Sequence, residues 1–112
     1  PAGQLGKDLD LEGRTAVVTG STSGIGLAIA QAFSAVGMNV ILNGFASEAE
    51  ADALRTTIET TYGNKTAYSP SDMSKPDEIH SLMDFAVSRF GPVDVLVNNA
   101  GIQHVEAIET FP

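Results

Sequence analysis

The chain has 112 residues, 43% of them hydrophobic and 18% charged, with six basic against fourteen acidic residues and a formal net charge of −8. That size and balance describe one globular domain with a real hydrophobic core rather than a disordered chain. An acidic surface without a Lys/Arg cluster argues against nucleic-acid binding, and the absence of cysteine removes disulfides, thiolate nucleophiles and cysteine metal sites. No metal site is expected. No apolar run reaches the roughly 20 residues of a membrane helix, so no membrane association is expected. Pro1 to Arg14 is mostly polar and lacks a secretory core, so the expected address is cytoplasmic. Pro1–Asp8 reads as a flexible lead, and residues 9–112 as the domain.

The first predicted strand is Thr15–Thr19. It runs into Thr19-Gly20-Ser21-Thr22-Ser23-Gly24-Ile25-Gly26, a glycine-rich turn that opens a helix. Such a turn gathers backbone N–H groups at the positive end of a helix dipole, which suits an anionic phosphate. Gly20 permits the turn out of the strand, Gly24 lets backbone approach a pyrophosphate, and Gly26 lets the helix pack close to the sheet. Ser21 and Ser23 offer hydroxyl donors. The spacing is G-x-x-x-G-x-G rather than the commoner G-x-G-x-x-G, and a purely structural turn with an N-cap explains the same residues taken alone. The helix runs from Ser23 or Gly24 to about Val36, with Ile25, Ala28, Ile29, Ala32 and Phe33 as its expected core stripe. Gly37 follows as a left-handed cap.

The second strand is Asn39–Asn43. Ser47-Glu48-Ala49-Glu50 then forms a capping box for a helix to about Tyr62, with Ala49, Ala53, Leu54 and Ile58 on its inner face. Lys65–Ser69 is a short third strand. Ser74 is the expected cap of the next helix, with Pro76 in the first turn and Asp77 at the capping-box position. Its core stripe is Ile79, Leu82, Met83, Ala86, Val87 and Phe90, and Gly91-Pro92 stops it. Val93–Val97 is the fourth strand, apolar enough for a parallel sheet.

Alternating strands and helices predict an α/β, Rossmann-type, doubly wound parallel sheet of strand order 3-2-1-4. The switch point lies between the first and fourth strands, where ligands bind at the carboxyl ends. Two segments converge there: the glycine loop and Asn98-Asn99-Ala100-Gly101. The latter suits a wall against a ribose or nicotinamide, although Asn and Gly are also ordinary loop residues.

Together TGSTSGIG, Asp72-Met73 after the third strand, and NNAG resemble the short-chain dehydrogenase/reductase family, from about residue 11 onward. The resemblance implies a cofactor site built from Gly20, Ser21, Thr22, Ser23, Gly24, Ile25 and Gly26. Asp72 would contact the adenine amino group beside the backbone of Met73, while Asn98, Ala100 and Gly101 line the cofactor. Asp72 reads equally well as a loop aspartate before a capped helix. The end of the second strand offers Asn43-Gly44-Phe45-Ala46, with neither an acid for the ribose hydroxyls nor a cation for a 2′-phosphate. With Phe45 adding bulk, that stretch points to NAD. The tail, NNAGIQHV, is similar to the bacterial D-3-hydroxybutyrate dehydrogenase branch, in which the position of Gln103 helps hold a small carboxylate substrate. Gln103 on its own reads as a solvated loop amide. His104 and His80 receive no catalytic role.

The same resemblance implies catalytic residues beyond this chain, a Ser, a Tyr-x-x-x-Lys pair and an Asn. Tyr62 and Tyr68 are followed four positions on by Thr66 and Asp72, so no catalytic residue is expected within the segment. The chain thus reads as the N-terminal, cofactor-holding half of a hydride-transferring enzyme, stopping after the fourth strand, with a homo-tetramer implied by the family. An NADPH-dependent ketoacyl or sugar reductase, or a non-catalytic dinucleotide-binding regulator, fits the same motifs.

Overall fold

Val40, Ile41 and Leu42 are consecutive and entirely buried, which requires cover on both sides of their strand. In the computed structural model, which describes residues 10–99, that strand lies inside a four-stranded parallel sheet. The strands are β1 (Thr15–Val18), β2 (Asn39–Asn43), β3 (Thr66–Ser69) and β4 (Val95–Val97), in the order β3-β2-β1-β4. The intervening helices are α1 (Gly24–Ala35), α2 (Glu48–Tyr62) and α3 (Pro76–Phe90). The expected doubly wound, Rossmann-type topology is therefore present, and the lead Pro1–Asp8 lies outside the described residues.

The period-two alternation of the strands divides the core in two. Val17, Ile41 and Ala67 face Leu82 and Ala86 of α3, with Phe85 and Phe90 packed against them. Val18, Val40 and Leu42 face Ala30 of α1 and Ile58 of α2 on the other side. Each fully buried branched side chain contributes about 1.5–3 kcal/mol relative to exposure. Leu96 on the edge strand β4 is 54% exposed.

Three strands are shorter than expected: β1 ends at Val18, β3 begins at Thr66 and β4 begins at Val95. At β4 the cause is chemical. The Asp94 carboxylate accepts the Thr15 N–H at 3.0 Å and the Arg14 guanidinium at 3.2 Å, so at Asp94 a side chain accepts from β1 while the backbone still donates to Thr15 O at 2.9 Å.

The helix faces also depart from expectation. On α1 the buried positions are Gly26, Ala30 and Ser34, and Ile29 and Phe33 pack against the core as expected, while Ile25, Ala28 and Ala32 face outward. Ile25 is 69% exposed. Small residues four apart let α1 lie close to the sheet, and that closeness sets its rotation ahead of the bulk of the neighbouring apolar residues. On α2 the buried residues are Ala51 and Ile58, with Ala49 and Ala53 exposed. On α3, Val87 is exposed and Phe85 takes its place against the core.

Caps were partly legible. The Ser47 box forms as expected: its hydroxyl accepts the Glu50 N–H at 3.2 Å and the Glu50 carboxylate accepts the Ser47 N–H at 3.1 Å. Those bonds hold the Glu50 carboxyl below its ordinary range. The box therefore contributes fully above the ordinary carboxylate pKa and is lost as acid protonates Glu50. Ser47→Ala in the full-length protein is expected to cost about 1 kcal/mol of stability, read from urea unfolding near neutral pH. No loss there would remove the box from the stabilising interactions. Ser74, in contrast, does not cap α3. Pro76 occupies the first helical position and makes Lys75 the N-cap, while Ser74 turns back onto Asp72. Asp77 forms no box; Glu78 instead accepts the Asp72 N–H at 2.9 Å.

Candidate cofactor-binding crevice

Parallel strands deliver their carboxyl ends to one edge of the sheet, and a crevice of about 1060 Å³ opens there. Gly20, Thr22, Ser23, Phe45, Asp72, Met73 and Asn98 all line it. Residues from four separate stretches of the sequence expectation are thus brought to one place. Ala100, Gly101, Gln103 and His104 lie outside the described residues.

The loop after β1 has its backbone fixed by neighbours. Gly20 adopts φ +59°, a left-handed turn that a side chain would strain. Its N–H donates to Asn43 Oδ1 at 3.1 Å, and its carbonyl accepts from Asn99 Nδ2 at 3.0 Å. Gly26, in the first turn of α1, leaves no room for a methyl group. A Cβ there would overlap the Gly20 carbonyl oxygen and stand 2.6 Å from Asn99 Nδ2. The close helix approach expected of Gly26 is therefore a geometric requirement.

Ser21 departs from its expected role. It is fully buried; its hydroxyl donates to Val18 O at 2.7 Å and accepts the Asn43 N–H at 3.0 Å. Its own N–H donates to Asn43 O at 2.7 Å. The hydroxyl is spent on β1 and the N–H on β2, so neither donor faces a phosphate. Ser23 does remain at the crevice, as the N-cap of α1 with no capping bond from its side chain. The first turn of α1 carries no acidic residue. The N-terminal end of α1, with its dipole, and the Ser23 hydroxyl therefore stand at the crevice, an arrangement that favours an anion. Thr22 stands beside them, and Gly24 and Ile25 are the first two residues of the helix.

Asn43 is the residue that motif reading passed over. Besides meeting Gly20 and Ser21, its amide donates to Ser69 O at 3.0 Å and to Ser71 O at 2.9 Å. One buried side chain thus ties the loops after β1, β2 and β3 together. The available signal was a lone amide closing the apolar run Val40-Ile41-Leu42 just before a glycine.

On the β3 side, Asp72 Oδ1 accepts the Ser74 hydroxyl at 2.7 Å and the Ser74 N–H at 2.9 Å. These bonds hold its carboxyl below the usual carboxylate range, so Asp72 is an anion and an acceptor at neutral pH. Asp72 thus serves as the turn-forming loop residue of the plainer expectation, and Oδ2 has no hydrogen-bond partner among the described residues. On the β4 side, Asn98 Oδ1 accepts the Thr19 hydroxyl at 3.2 Å. Phe45 stands on the rim with 82% of its surface exposed. Tyr68 donates to Gly44 O at 2.7 Å and Ala46 O at 3.0 Å, and burial pushes its phenol up. A neutral phenol bound to two carbonyls is a brace for the 44–46 loop. His80 is exposed on α3.

Residues 14–112 match the model of the short chain dehydrogenase family. The chain is 55% identical over 103 residues to a D-beta-hydroxybutyrate dehydrogenase of Cupriavidus necator, covering 91% of this chain and 39% of that protein. It is 49% identical over 102 residues to a D-beta-hydroxybutyrate dehydrogenase of Rhizobium meliloti, covering 88% and 38%. Among solved structures, L-sorbose reductase from Gluconobacter frateurii, complexed with NADPH and L-sorbose, superposes with a TM-score of 0.75 at 31% identity, over 91% of this chain and 38% of that one. The chain therefore spans under two-fifths of the length of these relatives. A doubly wound sheet, a glycine loop braced at its switch point and a family match running from the first strand onward make this chain a member of the short-chain dehydrogenase/reductase family.

Proposed function

We propose that the chain holds the NAD of an oxidoreductase that moves a hydride between that cofactor and a small 3-hydroxy acid, converting D-3-hydroxybutyrate to acetoacetate. The observation that carries the reading is the N-terminus of α1, free of acidic residues and capped by the crevice-lining Ser23, in the same crevice as Asp72, with no Lys or Arg among the described lining residues. The donors and the acceptor fit a dinucleotide. The α1 N–H groups and the Ser23 hydroxyl would hold the pyrophosphate, and the Asp72 carboxylate would accept from the adenine amino group. Asn98 would seat the nicotinamide end together with Ala100 and Gly101. Gln103 would orient the substrate carboxylate. When bound, the nicotinamide supplies the hydride chemistry; this segment binds and orients it.

The substrate is supported by the names of the two relatives that are about half identical to the chain. NAD is supported by a crevice whose ionisable lining residues, Glu50 and Asp72, are both acidic. A reductase using NADPH is the second reading, favoured by the cofactor in the L-sorbose reductase structure. The test is steady-state turnover by the full-length protein, followed through the absorbance of the reduced nicotinamide. Efficiency with D-3-hydroxybutyrate is expected to be at least about tenfold higher with NAD than with NADP. Turnover of only a thioester or a sugar would overturn the substrate and leave the fold standing.

A further inference from the structure

The loop at the carboxyl end of β2 carries no charge, and the structure gives a packing reason for its glycine. A Cβ on Gly44 would stand 2.5 Å from Thr22 Oγ1 and 2.8 Å from Thr22 Cγ2. Any side chain at 44, acidic or basic, would push Thr22 out of its place beside the phosphate loop. The choice between two dinucleotides that differ by one phosphate therefore has to be made elsewhere on the wall.

Glu50 is the first charged lining residue beyond that loop. Its carboxylate is anchored to the Ser47 N–H, and its own N–H to the Ser47 hydroxyl, so it is held from two directions. It shares the crevice wall with Gly44, Phe45 and Ala46. The Tyr68 hydroxyl binds the carbonyls of Gly44 and Ala46 and so fixes the loop that shares the crevice lining with Glu50.

We infer that the capping-box carboxylate of Glu50 excludes a 2′-phosphate from this crevice, so that selectivity for the unphosphorylated dinucleotide resides on the first turn of α2. The inference rests on the reading of the crevice as a dinucleotide site. A phosphate dianion placed at the 44–46 loop meets Glu50, with Asp72 in the same lining and no cation among the described lining residues to offset them. A ribose hydroxyl at the same place can donate to the carboxylate. A residue that stabilises the helix start therefore also supplies the repulsive element that specificity needs.

The test is direct binding, with dissociation constants for NADH and NADPH measured by fluorescence titration of the full-length protein. Glu50→Gln is the informative variant, because an amide keeps the capping geometry and removes the charge. The ratio of the NADPH to the NADH dissociation constant is expected to fall about fivefold to tenfold, through tighter NADPH binding. In the unmodified protein the same ratio should shrink between about 0.01 M and 1 M salt, as the screening length drops from about 30 Å to about 3 Å. That salt dependence should be weaker in the variant. A ratio unmoved by Glu50→Gln, or equal tightening of both dinucleotides, overturns the inference while the site reading stands. An unmodified protein that binds neither dinucleotide overturns both.

Discussion

Gly26→Ala is expected to abolish measurable NADH binding by the full-length protein and to lower its stability by about 1–3 kcal/mol. A methyl group on α1 would occupy the space of the Gly20 carbonyl and crowd the Asn99 amide that caps it. The closest atom is backbone and is not free to move: Gly20 is pinned by Asn43, and the Asn99 amide, two residues past the end of β4, is bonded to that same carbonyl. The remaining response is for α1 to back away from the sheet, which displaces the N–H groups proposed to hold the pyrophosphate. A displacement of about an ångström at such a site is enough to cost orders of magnitude in function. Fluorescence titration and urea unfolding read the two effects separately. Binding within threefold of the unmodified protein would show that the close approach is not needed.

The second large effect is expected at Asn43. Asn43→Ala removes the acceptor for the Gly20 N–H and the donor to the Ser69 and Ser71 carbonyls, at a site with almost no access to water. Buried groups left without partners cost about 1–3 kcal/mol, so a total loss of about 2–4 kcal/mol follows, with weaker NADH binding. Asn43→Asp is the sharper version. It keeps the shape and the acceptor, but replaces the donor with an anion facing two carbonyl oxygens. It should be at least as damaging as alanine in urea unfolding, and a near-neutral result would refute the role of the amide.

The strand order, the switch point and the phosphate loop could be read from the chain because each is written in local pattern: apolar runs, glycines and caps at fixed offsets. The rotation of α1 could be read only in part, from Ile29 and Phe33, which do pack against the core. Ile25, Ala28 and Ala32 have helical spacing, yet Gly26, Ala30 and Ser34 face the sheet. Which side of a helix is inward depends on how close it must come, and that is a tertiary fact. The same holds for Ser21, which shares its residue type with any phosphate-binding serine and differs only in what lies over it. Asn43 was visible only as a missing charge. Its work depends on three chain segments that are 22 to 28 residues apart in sequence. The cap of α3 was misplaced for a simpler reason, since Pro76 fixes the start of the helix and leaves Ser74 to the Asp72 turn.

The way Asn43 ties three loops has a kinetic meaning. Its bonds lie within the protein and do not involve a ligand, so the loop after β1 gives up its conformational freedom when the domain folds. A dinucleotide bound as proposed would meet a loop already held in place and would have little order left to impose on it. Its association is then expected to be governed by encounter and orientation, with differences in affinity among variants read mainly in the dissociation rate by stopped-flow.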